Sequence, residues 1–274
     1  MHGDPPTDAT VHNMAPLLHD KYHLCCVDIR GLGDSVGPKE GGAESINYSF
    51  RAMAADLIHV MSELGYKKFF VAGHDRGART AHRMMLDHPE KVVAAAFLDI
   101  LPSHHIWTSK SVDVAEFSWH WLFMKMPFDF PEQMMAGVSA EYFIKNKISK
   151  AGIGLEPFSD EALAEYIRCF NWQTIRGSCE DYRACATSDL AMDTKDFQTN
   201  HKVSCPLYIL WGAHSHTGQR YGDVLDIWRD YASGPIYGAA LEAGHYLNEE
   251  HPEQTSMLLD QHFQKYVSQL SELE

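Results

Sequence analysis

The stretch from Phe69 to His82, FFVAGHDRGARTAH, decides the fold. An apolar, strand-like segment runs into Gly73 and Gly77, and Asp75 lies midway between these two glycines. This G-x-D-x-G spacing is typical of a nucleophile elbow, a sharp strand-to-helix turn that lifts the middle side chain above a sheet. The glycines are needed because the turn leaves no room for a Cβ atom. The pattern therefore predicts that the Asp75 carboxylate is a nucleophile.

Two arginines follow the aspartate within one helical turn. Arg79 lies four residues after Asp75, so both side chains can face one side of the helix that leaves the elbow. A guanidinium group can hold a carboxylate through two parallel hydrogen bonds. We therefore predict that Arg76 and Arg79 hold a small anionic organic substrate against Asp75. The simpler alternative is that either arginine pairs with Asp75 itself.

Strand-like and helix-like segments alternate around the elbow, which predicts an α/β fold with a mostly parallel sheet flanked by helices. Apolar runs predict strands at residues 23–29, 68–73, 92–100, 206–212 and 235–241. Apolar residues at helical spacing predict helices at residues 50–64, 78–87 and 258–267. The segment 103–200 reads as helical and aromatic with no clear strand, which is typical of an inserted cap. The predicted domains are a core over 1–102 and 201–274 and a helical cap over 103–200.

The composition limits the classes of partner. The 274 residues are 45% hydrophobic, which suits one α/β domain with insertions. The formal net charge of −14 argues against a nucleic-acid partner, because phosphate binding needs clustered Lys and Arg. No apolar run reaches the ~18 residues of a membrane span, and the chain does not open with a signal peptide. Because the net charge gives no general attraction for anions, any site that binds an anionic substrate must be formed by a local group of basic residues.

Cysteine usage indicates the compartment. Six cysteines show no CxxC pair and no zinc spacing, so we expect free thiols, a reducing cytoplasmic setting, no metal and no cofactor. Cys25 and Cys26 fall in the predicted strand 23–29 and are expected to be buried. The sequence leaves the oligomeric state open, with a homodimer among the alternatives.

Further segments, taken with the elbow, carry a family resemblance. GHDRGAR (73–79), FLDILP (97–102), SWHW (118–121), CEDYRA (179–184) and EAGHYLNEE (242–250) occur in the order typical of the haloacetate (fluoroacetate) dehalogenases. HG-P at 2–5 and DIRGLGDS at 28–35 resemble the wider α/β-hydrolase superfamily. The resemblance spans nearly the whole chain. It implies an α/β-hydrolase fold with a helical cap and hydrolytic dehalogenation of short 2-haloacids.

A carboxylate nucleophile suits that chemistry, because it displaces a leaving group from saturated carbon and forms an alkyl ester. His245 follows the last predicted strand and is the expected base that activates water. Asp99, at the end of the run 92–100, is the expected acid that orients it, because the loop AHSHTG (213–218) offers no aspartate. A carboxylate that ends a buried strand is costly without a partner, although Asp99 could merely cap a turn.

The resemblance implies the remaining parts of the site. His120, Trp121 and Tyr182 from the cap would bind the leaving halide, and their N–H and O–H groups are suitable donors. Backbone N–H groups of Arg76 and Asp4 would meet the ester oxyanion. Without the resemblance, the aromatic stretch 117–123 would be interpreted as core packing.

The chain departs from the family pattern at three places. It begins at MHGDPP, so the first core strands are expected to be missing and their neighbours to lack ladder partners. Asp4 stands where the family usually has Phe, which is unfavourable beside an oxyanion unless the carboxylate points away. Ile148 stands near a family cap tryptophan, and this change predicts a wider pocket that favours bulkier 2-haloacids.

Two alternatives stay open. An epoxide hydrolase shares the aspartate elbow and the ester intermediate but needs acidic tyrosines in the cap, for which Tyr142, Tyr166 and Tyr182 are available. The two arginines disfavour it, because a neutral epoxide has no use for them. A non-catalytic, small-molecule-binding paralogue would keep the pocket without turnover.

Overall fold

A computed structural model describes residues 1–109, 115–116, 118–149 and 154–271 of the chain. The predicted cap (103–200) and the predicted C-terminal core (201–274) each contain residues that lie outside this described part. No helix among the described residues has both the length and the apolar character needed to cross a lipid bilayer.

Within the described residues, four parallel strands form the sheet in the order β1-β2-β3-β4. They are β1 (Phe69–His74), β2 (Val92–Leu98), β3 (Leu207–Gly212) and β4 (Ile236–Leu241). All seven residues of β2 are buried. Parallel strands that helices cover on both faces have such continuous apolar sequences. Four of the five predicted strands and the α/β fold class are thereby confirmed.

Helices cover the sheet and fill the middle of the chain. The first four α-helices are α1 (Ala15–Leu18), α2 (Phe50–Glu63), α3 (Arg76–Asp87) and α4 (Ser103–Thr108). The next six are α5 (Trp119–Met124), α6 (Phe130–Ala136), α7 (Ala140–Ser149), α8 (Asp160–Cys169), α9 (Trp172–Ala186) and α10 (Ser188–Gln198). The last five are α11 (His216–Arg220), α12 (Val224–Arg229), α13 (Leu247–Glu250), α14 (Pro252–Phe263) and α15 (Ser268–Ser271). Short 3-10 helices span Asp8–Val11, Ala43–Tyr48 and Gln264–Tyr266.

The predicted strand at 23–29 is wrong, because these residues form no regular element. A groove of about 620 Å³ lies between this segment and β1, and Val27, Phe70 and Met61 are among its lining residues. With no strand alongside it, the segment has no ladder partner. Cys25 and Cys26 are consequently exposed, and the prediction that they are buried is also wrong.

Met1 lies against the outer edge of β1. The Met1 nitrogen donates a hydrogen bond to the Ala72 carbonyl (3.0 Å), and the Met1 carbonyl accepts one from the His74 N–H (3.0 Å). The two residues that follow Met1, His2 and Gly3, then run past the start of α3. This path brings the N-terminal segment against the elbow.

From Ser103 to Gln198 the described residues form helices and connections but no strand. This pattern agrees with a helical insertion between β2 and β3. The division of the chain into core and cap at residues 102 and 200 stays a prediction.

Candidate active site

Asp75 occupies a sharp turn between β1 and α3. Its backbone has φ 47° and ψ −116°, a conformation that L residues rarely adopt. A Cβ added at Gly73 would lie 2.6 Å from the Ala78 backbone nitrogen, and one added at Gly77 would lie 2.6 Å from the His2 carbonyl. The backbone therefore closes around the turn on both sides of Asp75, as the elbow pattern predicts.

The two carboxylate oxygens of Asp75 have different neighbours. Oδ2 lies 3.7 Å from His245 Nε2. Oδ1 is buried and accepts no hydrogen bond from the described residues. Burial raises the pKa of Asp75, but the nearby charges of His245 and Arg79 outweigh burial and hold this pKa well below its usual value. Asp75 is therefore an ionised carboxylate whose contact with His245 is long, and 15% of its side chain is exposed.

His245 and Asp99 form a hydrogen-bonded pair beside Asp75. His245 Nδ1 lies 2.6 Å from Asp99 Oδ2. Asp99 Oδ1 accepts hydrogen bonds from Ser215 Oγ (2.6 Å) and from the Gly212 N–H (3.0 Å). Burial lowers the pKa of His245, yet the hydrogen bond and charge of Asp99 raise it overall. This arrangement can orient and charge the imidazole.

Strand register explains why Asp99 reaches the histidine. His74 pairs with Leu98 across β1 and β2, so Asp75 and Asp99 leave adjacent strands at the same edge of the sheet. His245 follows β4, at that same carboxyl-terminal edge. The loop after β3 contributes Ser215, whose hydroxyl holds Asp99, instead of an aspartate.

The two predicted arginines are buried beside the elbow, and neither forms an ion pair with Asp75 within the described part of the chain. Arg76 Nε and Nη2 donate to the two oxygens of Asp181 (2.7 and 2.5 Å). Arg79 Nη1 donates to the Leu101 carbonyl (2.9 Å) and to Ser103 Oγ (3.0 Å). Arg76 Nη1 and Arg79 Nε are buried and have no partner among the described residues.

The three aromatic residues assigned to the leaving group come together on the cap side. The His120 and Tyr182 rings meet edge to face at 5.7 Å, and the Trp121 and Tyr182 rings at 6.0 Å. The Arg79 guanidinium lies over the Trp121 ring at 4.6 Å. Burial, followed by the charge of Lys147, lowers the pKa of His120 to about 3, so its imidazole is neutral.

The sequence analysis did not identify four further side chains of the site, namely Lys147, Ser178, Asp181 and Ser215. Lys147 Nζ (2.6 Å) and Ser178 Oγ (2.7 Å) donate to the carboxylate of Asp4 and so fix its orientation. Ser178, Asp181 and Tyr182 recur at helical spacing on α9, and this pattern could have identified them.

The other residues considered in the cap take different places. Tyr142 is 62% exposed, and the Tyr166 hydroxyl donates to buried Glu249. Ile148 is buried in a cluster with Phe158 and Tyr246. Among the described residues, no group of three His, Cys, Asp or Glu side chains is arranged to bind a metal ion.

Comparison with known proteins gives consistent matches. The alpha/beta hydrolase fold family matches residues 8–252. A fluoroacetate dehalogenase from Burkholderia sp is 34% identical over 94% of this chain and 84% of its own. A soluble epoxide hydrolase from Corynebacterium sp is 29% identical over 92% of this chain and 85% of its own. A solved α/β hydrolase from Nostoc sp has a TM-score of 0.92 at 42% identity and covers 98% of this chain and 89% of that chain.

Proposed function

The chain belongs to the α/β-hydrolase fold family and, within it, to the family of the fluoroacetate dehalogenases, and we propose that it hydrolyses the carbon–halogen bond of short 2-haloacids such as haloacetate or fluoroacetate. The broader conclusion is that the chain is an enzyme of the α/β-hydrolase kind, and this proposal adds a specific reaction to it. The six cysteines are free thiols, which supports a cytoplasmic location.

The observation that carries the proposal is a pair of unused donors beside the nucleophile. Arg76 Nη1 and Arg79 Nε are buried without an acceptor among the described residues. A buried charged donor without a partner is costly, so such a site favours an anionic ligand. A substrate carboxylate would satisfy both nitrogens and would place its α-carbon next to Asp75.

The first step forms an ester. Asp75 Oδ2 attacks the α-carbon, a new C–O bond replaces the carbon–halogen bond, and the halide leaves with the bonding electrons. The Trp121 indole N–H, the Tyr182 hydroxyl and the neutral imidazole of His120 are the donors available to the departing halide.

The second step hydrolyses the ester. His245 takes a proton from water, and the water oxygen attacks Cγ of Asp75. The bond between Cγ and the esterified oxygen then breaks, and the departing alkoxide takes the proton from His245 to give the 2-hydroxyacid. Asp99 holds Nδ1 of the imidazole during both transfers.

Epoxide hydrolysis is the second candidate, since a soluble epoxide hydrolase is among the similar proteins. It would use the same elbow, with acidic hydroxyl groups to protonate the epoxide oxygen. Tyr182 packs on the Arg76 guanidinium at 4.2 Å and is suitably placed. Tyr142 is exposed and Tyr166 is engaged by Glu249. A neutral epoxide also offers no carboxylate to Arg76 Nη1 and Arg79 Nε, so these contacts favour the 2-haloacid.

A trapping experiment tests the proposal. We expect His245→Asn to release up to one halide per chain and to keep an ester on the peptide that contains Asp75, because the attack no longer leads to hydrolysis. Asp75→Asn is expected to abolish halide release. Mass spectrometry of the digested protein and a halide assay provide the measurements. His19→Asn is the matched control, because His19 is exposed and its ring contacts exposed Asp20 and the Pro16 carbonyl.

Substrates tested in parallel separate the alternatives. Fluoroacetate, chloroacetate, 2-chloropropionate and a simple epoxide are compared with the same protein. Diol formation without halide release would indicate an epoxide hydrolase, and 2-haloacid binding with neither product would indicate a non-catalytic binder.

The Ile148 prediction is that 2-chloropropionate turns over better than fluoroacetate, and a strict fluoroacetate preference would contradict it.

A further inference from the structure

The Asp4 carboxylate connects the N-terminal segment to two cap helices. Its Oδ2 accepts a hydrogen bond from Lys147 Nζ of α7 (2.6 Å), and its Oδ1 accepts one from Ser178 Oγ of α9 (2.7 Å). The side chains of Asp4 and Lys147 are only 3% and 12% exposed, respectively. A buried ion pair is destabilising unless its geometry is good and its remaining lone pairs are satisfied. Both oxygens of Asp4 have close donors here, so its side chain is fixed.

The backbone next to this side chain lies against the nucleophile. A Cβ added at Gly3 would lie 2.7 Å from Asp75 Cβ and 2.9 Å from Asp75 Oδ1. Gly3, the residue before Asp4, therefore lies against Oδ1, whereas the contact with His245 is made by Oδ2. Oδ1 is buried and accepts no hydrogen bond from the part of the chain that the structure describes.

The N–H groups near Oδ1 are also available. Within the described residues, the backbone N–H groups of Asp4 and Arg76 donate to no backbone carbonyl outside helices and strands and to no side chain. Arg76 is the first residue of α3, where the N–H groups have no partner inside the helix. Donors in an oxyanion hole are aimed at the place where charge develops, and their distances to the ground state are often longer.

We propose that Lys147 and Ser178 are positioning residues for ester hydrolysis: they hold Asp4 so that its backbone N–H stabilises the oxyanion that forms on Asp75 Oδ1. This inference rests on the proposed function. When water attacks Cγ of the ester, its proton goes to His245 and the carbonyl electron pair moves to Oδ1. Collapse of this intermediate expels the alkoxide of the product, which takes the proton held by His245, and leaves Asp75 as a carboxylic acid. Loss of the second water proton to solvent then restores the Asp75 carboxylate.

The charge of Lys147 is essential to this role. Asp4 lies close enough to Asp75 for the two negative charges to repel, and burial also disfavours an ionised Asp4. Without Lys147, the Asp4 side chain would have to turn towards solvent or take up a proton. Either response moves the peptide between Gly3 and Asp4 and weakens the donor. Halide departure, in contrast, does not require this oxyanion.

Lys147→Met tests the inference, with Lys145→Met as the matched control on the same helix. Lys145 forms an exposed pair with Glu141 and does not contact Asp4. We expect Lys147→Met to release the first equivalent of halide at the wild-type rate. Its steady-state turnover should then fall roughly 100-fold, as for a displaced oxyanion donor, while the ester on Asp75 accumulates. Rapid-quench halide assays and mass spectrometry with chloroacetate measure the two steps.

Asp4→Asn keeps the shape of the side chain and removes its charge. If Lys147 acts through Asp4, the double variant Asp4→Asn, Lys147→Met should lose less turnover than the product of the two single losses. Multiplicative losses would overturn the inference. Equal slowing of halide release and ester hydrolysis in Lys147→Met would also overturn it, because it would place Lys147 at the leaving group. A lower melting temperature with wild-type kinetics would show a structural role only.

Failure of the proposed function gives a different result. If the wild-type chain releases no halide and forms no ester with any 2-haloacid, both the function and this inference are wrong. If the wild type turns over and Lys147→Met behaves like Lys145→Met, only the inference is wrong.

Discussion

At the scale of single residues, the elbow gives each oxygen of Asp75 its own environment. Oδ2 faces the imidazole of His245, and Oδ1 lies against the backbone near Gly3. A positive φ at a non-glycine residue is a strained conformation that persists only where the surrounding structure enforces it. Asp99 also has a positive φ, of 51°, so both carboxylates of the site are held in strained turns.

The pKa of His245 gives a prediction at this scale. Burial lowers this pKa, but Asp99 and Asp75 together raise it above the usual ~6.5 of an imidazole. Because the base must be neutral, ester hydrolysis should slow as the pH falls through the pKa. In the ester Asp75 carries no charge, so this pKa should be lower there than in the free enzyme. NMR titration of the free enzyme and single-turnover hydrolysis at several pH values measure the two quantities.

Asp99→Asn provides the control for that prediction. Loss of the charge should move the titration of His245 to lower pH and should slow hydrolysis. A free-enzyme pKa at or below the ordinary imidazole value would contradict the assignment.

Sequence reasoning reached some of these residues and missed others for physical reasons. The glycine spacing around Asp75 is local and could be predicted, as could the histidine after the last strand. The contacts of Lys147 and Ser178 with Asp4 could not be predicted, although Ser178 recurs at helical spacing with Tyr182, because Asp4 is more than 140 positions away in the sequence from each. Such contacts depend on how the cap sits on the core, which no local pattern encodes.

At the scale of elements, helix α9 contacts both Arg76 of the elbow and Asp4 of the N-terminal segment. Asp181 binds Arg76, Tyr182 packs on the same guanidinium, and Ser178 binds Asp4. A Cβ added at Gly177 would lie 2.2 Å from the Gly31 carbonyl, so the helix also touches the core backbone. One face of α9 therefore places three side chains against Arg76 and Asp4.

Asp181→Asn tests this element. The substitution leaves the buried guanidinium of Arg76 without its counter-charge, and breaking a buried pair in this way costs about 3–5 kcal/mol. The side chain of Arg76 should also lose its fixed orientation, so the KM for a 2-haloacid should rise. Urea unfolding and steady-state kinetics measure both effects. Asp226→Asn is the control, because Asp226 pairs with Arg229 at the surface. A stability loss no larger than that of the control would contradict the prediction.

Strand prediction succeeded or failed according to the neighbours of each strand. Residues 92–98 and 207–212 have neighbours on both sides and form strands, as their apolar runs predict. Residues 23–29 have the same apolar character and do not form a strand, because the groove separates them from β1. Pairing partners lie far apart in sequence, so an apolar run alone cannot supply them.

At the scale of the whole molecule, a groove lined largely by apolar side chains opens beside β1. Its volume is about 620 Å³, and aliphatic and aromatic side chains from the N-terminal segment, α2, β1 and α14 line it. A free strand edge next to exposed apolar side chains is a known route to unwanted pairing between molecules.

We expect the native chain to bind an apolar fluorescent dye and to associate as its concentration rises. Val27→Glu should reduce both effects, because it places a charge in the groove. Val36→Glu is the control, since Val36 is 77% exposed and does not line the groove. Dye fluorescence and sedimentation measure the two effects. If Val27→Glu and Val36→Glu bind the dye and associate to the same extent, the groove is not the surface responsible for these effects.

The link between Asp4 and two cap helices also restricts how this enzyme can be redesigned. A foreign cap grafted onto the core would leave the buried carboxylate of Asp4 without partners, unless the graft supplied a lysine and a serine at the positions of Lys147 and Ser178. An unpaired buried charge costs about 3–5 kcal/mol of stability. The cap helices and Asp4 would therefore have to be exchanged together. If only the cap helices are randomised in a library, most of the variants should be unstable.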